Sequence, residues 1–197
     1  MTVPPAPTPA AEARRALRQR LLSARQAWAT SPAAQTAQQA LADRLADVLA
    51  QLEPACLGLY WPVRGEFNPR DIALTARAAS GCALALPYAR RTPVEMQFRP
   101  WDGTEPDTRD ECGLPAPSVA KVVQPDVVLV PCVGFTPEGF RLGYGGGYFD
   151  RYLAAHPEVT AIGLAWDEAQ VEVSALSPAA HDVPLMAVLT PSATWGG

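Results

Sequence analysis

The chain has 197 residues, of which 48% are hydrophobic and 18% charged, and its formal net charge is −4. That length suits one domain, the hydrophobic share excludes general disorder, and the acidic balance argues against a whole-surface nucleic-acid binder. No apolar run approaches the ~18 residues of a membrane span, so no membrane association is expected.

The opening MTVPPAPTPA carries four prolines and lacks a basic start ahead of an apolar core. It predicts a flexible tail over residues 1–10 rather than a signal peptide, followed by a single domain over residues 11–197. From Ala11 onward, Leu17, Leu21, Ala24 and Trp28 recur at helical spacing, and Arg14, Arg18 and Arg25 share one flank of that helix. Pro32 opens a second helix with a stripe of Leu41, Leu45, Val48, Leu49 and Leu52. The period then changes. Residues 56–61 read as a strand, 69–79 as a helix, 82–86 as a strand closed by Pro87, and 94–99 as a possible third strand. Residues 101–117 are rich in Asp, Gly, Pro and Glu and predict a long surface loop. Buried strands are predicted at 126–130 and 159–165, a helix at 148–155 between them, and a last strand at 186–189. This alternation implies an α/β fold of three layers, a mostly parallel sheet flanked by helices, with ligands at the carboxyl ends of the strands.

The four cysteines, Cys56, Cys82, Cys112 and Cys132, contain no C-x-x-C pair. They predict free thiols in a reducing, cytoplasmic compartment and no structural zinc site.

Chemistry concentrates in one stretch. Six of the fourteen glycines fall between Gly134 and Gly147, where a buried strand passes through a Gly-rich loop into a helix. Backbone N–H groups at such a helix start suit an anion, and glycines let a phosphate approach the backbone. The loop is neither a G-x-x-x-x-G-K-S/T phosphate loop nor a G-x-G-x-x-G dinucleotide fingerprint, since Gly143, Gly145 and Gly147 give G-x-G-x-G. Arg141 can pair with phosphate oxygens. Asp150, in the first helical turn, would need a cation between itself and bound phosphates, and Mg²⁺ is the natural choice. Two plainer readings stand beside these. Gly-rich loops also make tight turns, and an Asp in a first turn also serves the helix dipole.

The segment RLGYGGGYFD after a buried strand ending in Val-Pro resembles the signature of the 5-formyltetrahydrofolate cyclo-ligase (5,10-methenyltetrahydrofolate synthetase) family. The N-terminal RRALR, Glu66 after the first strand, IGLAW at 162–166 and SPAAHDVP at 177–184 are similar to further parts of that family's pattern. The resemblance runs from Arg14 to Thr190. It implies ATP- and Mg²⁺-dependent conversion of 5-formyltetrahydrofolate to 5,10-methenyltetrahydrofolate, ADP and phosphate through a phosphorylated formyl group. It also implies that Arg14, Arg15, Arg18, Arg141, Leu142, Gly143, Tyr144, Gly145, Gly146, Gly147, Tyr148 and Phe149 contact ATP. Trp61, Glu66 and the Tyr144–Gly145–Gly146–Gly147–Tyr148 run would contact the folate, Asp150 and Asp182 would hold Mg²⁺, and Arg141, Tyr148 and Asp150 would act in catalysis. Phe149 departs from the pattern, which often has Tyr there. A monomer working on small molecules, without nucleic acid or membrane partners, is expected.

Each residue also has a simpler reading: a solvated arginine flank, a loop carboxylate at Glu66, a core position at Trp61, a local His181–Asp182 turn. Two rival functions follow: an ATP-dependent kinase or ligase on another small heterocycle, and a folate- or nucleotide-binding protein without catalysis.

Overall fold

A computed structural model describes residues 8–179 and 182–196. Of the expected tail, residues 1–7 lie outside the described residues, as does His181. Helix α1 (Pro9–Trp28) begins two residues before the predicted boundary, because Thr8 caps it with its hydroxyl and Pro9 occupies the first turn, so residues 9 and 10 are helical rather than tail. Helix α2 (Pro32–Leu52) buries Leu41, Leu45 and Leu49, while Leu52 at its end is exposed. Strand β1 (Cys56–Gly58) is shorter than predicted. Helix α3 (Arg70–Ser80) ends at Gly81, whose φ of 76° is the left-handed conformation that glycine adopts freely.

Strand β2 (Ala83–Arg91) runs through Pro87 instead of stopping there, and pairs antiparallel with β3 (Val94–Pro100). Pairing with β1 ends at Ala85, so beyond that point a proline removes no ladder bond on the β1 side. The predicted surface loop at 101–117 is the larger correction. It folds back through the short antiparallel pair β4 (Thr108–Arg109) and β5 (Pro115–Ala116), with Trp101, Asp110 and Ala116 buried. The Asp110 carboxylate closes this turn by accepting from the backbone N–H groups of Ala89, Cys112 and Leu114 at 3.2, 2.9 and 2.9 Å.

Strand β6 (Val127–Pro131) leads to a second small ladder, β7 (Gly134–Phe135) with β8 (Arg141–Leu142), and then to α4 (Tyr148–Ala155). Strand β9 (Thr160–Leu164), the single turn α5 (Val173–Leu176) and β10 (Ala187–Leu189) follow. A last strand, β11 (Thr194–Trp195), was not expected and adds antiparallel to β10.

The main sheet has the order β11-β10-β9-β6-β1-β2-β3. Its inner pairs, β2–β1, β1–β6, β6–β9 and β9–β10, are parallel, and its two edges are antiparallel. Alternate residues of β6 face opposite layers. Val127 and Leu129 pack with α2 and α3 side chains such as Leu45 and Ala73, whereas Val128 and Val130 pack with Tyr152 and Leu153 of α4. This is the three-layer α/β arrangement expected from the sequence. The chain order runs outward in opposite directions from β1 and β6, so a crevice opens beyond the carboxyl ends of those two strands.

Candidate active site

Three segments meet at that crevice. The first follows β1. Tyr60 donates to the Phe67 carbonyl at 2.8 Å, and the Val63 N–H donates to Glu66 Oε2 at 2.8 Å. The Trp166 indole donates to the Gly65 carbonyl at 2.8 Å. These bonds fix the loop that presents Trp61 and Glu66. Trp61 also packs edge-on against Trp101 at 6.3 Å, so it serves core and crevice at once.

The second segment is the Gly-rich loop. Gly145 and Gly147 hold φ of 96° and 65°, a region that a side chain would strain. Gly147 caps α4 and leaves the first N–H groups of that helix without a side-chain cap. Arg141 is buried at the root of the loop and donates from Nη1 to the Val183 carbonyl at 3.0 Å and from Nη2 to Asp150 Oδ1 at 2.8 Å.

The third segment is α1. Arg14 donates to Asp182 Oδ2 at 2.8 Å, an oxygen that also accepts from the Ala179 N–H at 2.8 Å. Arg18 donates from Nε to the Gly143 carbonyl at 2.6 Å. Burial and the nearby Arg14 guanidinium push Arg18 down, but an arginine remains charged across the physiological range.

Together these segments enclose a cleft of about 520 Å³, a volume that suits a small organic ligand. Arg14, Arg18, Trp61, Glu66, Arg141, Gly143, Tyr144, Gly145, Gly146, Gly147, Tyr148, Phe149, Asp150 and Asp182 all line it. Two sequence-predicted residues do not. Arg15 is exposed on α1, one position off the facing flank, and Leu142 is fully buried among Leu17, Leu21 and Val133 beneath the loop. The cleft also takes residues that sequence reasoning did not place there: Tyr60, Arg64, Asp110 and Cys112. Only the helical register of Arg25 with Arg18 hinted at a further inward-facing arginine.

The electrostatics divide the cleft. The Glu66 side chain is only 3% exposed. Burial raises its carboxyl above the ordinary glutamate range, opposed by the Tyr144 hydroxyl, the Val63 N–H and the guanidiniums of Arg25 and Arg64. Burial and the Glu66 carboxylate push the Tyr144 phenol up, so it stays a donor and bonds Glu66 Oε1 at 2.6 Å. Its hydrogen bond with Cys112, 3.1 Å from the phenol oxygen, raises Tyr148.

On the other side, Asp150 and Asp182 are each paired with an arginine. No cluster of three or more His, Cys, Asp or Glu side chains suited to a metal occurs among the described residues. Two carboxylates in one cleft nevertheless fit Mg²⁺. That ion takes one or two protein carboxylates and completes its shell with phosphate oxygens and water.

Comparison with known proteins bears on this site. The sequence profile of the 5-formyltetrahydrofolate cyclo-ligase family matches residues 10–191. The chain belongs to that family. A 5-formyltetrahydrofolate cyclo-ligase of Mycolicibacterium smegmatis is 35% identical over 147 residues, covering 67% of this chain and 71% of the relative. The enzyme of that name from Escherichia coli K12 is 43% identical over 72 residues, a stretch that spans 36% of this chain and 38% of the relative's length. The fold is also similar to solved 5,10-methenyltetrahydrofolate synthetases. The Mycoplasma pneumoniae structure has a TM-score of 0.73 at 22% identity, covering 90% of this chain and 98% of the other. The Aquifex aeolicus structure has a TM-score of 0.75 at 23% identity, covering 93% and 92%. No described helix is long and apolar enough to cross a membrane.

Proposed function

We propose that this protein is a monomeric, cytoplasmic 5-formyltetrahydrofolate cyclo-ligase that uses ATP and Mg²⁺. The observation that carries the reading is one cleft holding an anion-binding loop and a buried carboxylate on its two sides, in a chain of this family.

The phosphates of ATP lie on the loop amides of residues 143–147 and the start of α4, with Arg14, Arg18 and Arg141 as cationic partners. Arg15 adds only long-range attraction. The folate ring system lies between Trp61, Glu66 and the tyrosines of the loop. The formyl oxygen attacks the γ-phosphorus and ADP departs. N10 then attacks the formyl carbon and loses its proton. The carbon–oxygen bond breaks, and phosphate leaves carrying the former formyl oxygen. Phosphoryl transfer asks mainly for positioning and charge neutralisation. Arg141 supplies a fixed cation, and Tyr148, held as a neutral phenol, donates a hydrogen bond to the transferring group. Asp150 and Asp182 would hold Mg²⁺, which neutralises phosphate charge when bound.

The test is an ATP-dependent rise in near-ultraviolet absorbance from the methenyl product, with no-ATP and no-Mg²⁺ controls. A folded protein that binds ATP and 5-formyltetrahydrofolate without turnover would overturn the proposal.

A further inference from the structure

Arg25 lies three turns of α1 beyond Arg14 and is 7% exposed. The reaction outlined above gives it no part. Its Nε donates to the Arg64 carbonyl at 3.1 Å and its Nη1 to the Cys132 carbonyl at 3.4 Å, while Nη2 donates to the Tyr144 hydroxyl. That hydroxyl donates onward to Glu66 Oε1, and Arg25 Nη2 itself lies 3.8 Å from the same oxygen. One buried cation therefore ties together the loop after β1, the end of β6 and the Gly-rich loop.

The titratable and charged groups that face Glu66 are Arg25 from α1, Arg64 from its own loop, Tyr60 after β1, Cys132 after β6 and Tyr144. Burial pushes the Tyr60 phenol and the Cys132 thiol up, so both are neutral near pH 7. The two arginines are the compensating cations. Arg64 is exposed, so solvent and salt screen it, whereas Arg25 is shielded together with Glu66.

We infer that Arg25 is a positioning residue for folate recognition, clamping Tyr144 onto Glu66 and so fixing the carboxyl group that faces the ligand. The inference rests on the substrate proposed above. A planar guanidinium suits the task because it serves several acceptors at fixed angles while keeping its charge.

The test measures binding of 5-formyltetrahydrofolate without ATP, by quenching of intrinsic fluorescence, from about pH 4, near the ordinary glutamate value, up to about pH 8. In the wild type, affinity falls as acid protonates Glu66. Arg25→Gln is expected to weaken binding by about tenfold and to move the pH midpoint upward. Arg25→Lys keeps the charge and is expected to hold the midpoint near that of the wild type, with weaker binding because an ammonium cannot reach all the acceptors. A folded Arg25→Gln variant with unchanged midpoint and affinity would overturn the inference. Should Arg25→Gln fail to fold, Arg25→Lys decides: wild-type affinity in that variant refutes the positioning role. A wild-type protein that binds no 5-formyltetrahydrofolate at any pH instead overturns the substrate reading, and this inference with it.

Discussion

Replacing Arg141 by lysine keeps a positive charge and removes the planar fork. The Arg141 side chain is 3% exposed and donates to both the Val183 carbonyl, at 3.0 Å, and Asp150 Oδ1, at 2.8 Å. An ammonium on a shorter stem can reach one acceptor of this pair but not both. Asp150 is 26% exposed, so water takes up part of the lost bond. The expected cost is therefore modest, about 1–2 kcal/mol, and lowers Tm by roughly 2–8 °C in a chain of this size. Turnover should fall further, by about 10²-fold, because a preorganised donor at a transferring phosphoryl group acts chiefly in the transition state. Thermal unfolding by circular dichroism and the methenyl absorbance assay separate the two effects. Arg141→Gln, which leaves Asp150 without its cation, should be worse on both measures. A lysine variant with wild-type Tm and turnover would show that the fork geometry is not what this position contributes.

Asp150→Asn can still accept from Arg141, so it should fold and bind folate while losing turnover, most visibly in an Mg²⁺ titration; equal turnover at limiting Mg²⁺ contradicts the assigned role. Burial holds the Glu66 carboxyl above its ordinary range, so the folded protein binds that proton more tightly than the unfolded chain. Stability from this group is then lost as pH rises above ~4, and Tm of Glu66→Gln minus that of the wild type should shift in favour of the variant between about pH 4 and about pH 7. A difference that is flat with pH would show that Glu66 titrates normally. Cys132 is 2% exposed with its thiol pushed up to about 12, so iodoacetamide near neutral pH should leave it unmodified. Cys112, half-buried in the cleft wall, should react and be slowed by bound folate; mass spectrometry of the labelled peptides distinguishes the two sites.

Much of this protein is local and therefore legible in the sequence. The stripes of α1 and α2, the apolar runs of β6 and β9, and the Gly-rich entry to α4 each depend on residues a few positions apart. The loop motif is the clearest case, because Gly145 and Gly147 occupy backbone conformations that other residues adopt only under strain. Glycine builds such a turn without that strain, so the run of glycines is visible in the sequence. The tertiary structure decided the rest. Arg25 looked like one more arginine on a helix flank, yet its partners Arg64, Cys132 and Tyr144 lie 39, 107 and 119 positions away. The 101–117 segment has the composition of a solvated loop, and becomes a cleft wall because Asp110 captures the N–H of Ala89 across 21 positions. Helical register already sets Arg15 apart from the flank of Arg14 and Arg18, but only the packing of α1 against the sheet turns that flank toward the cleft and leaves Arg15 in solvent. Local pattern determines which elements form; which side chains meet depends on long-range packing, whose partners carry no signature within any window of the chain.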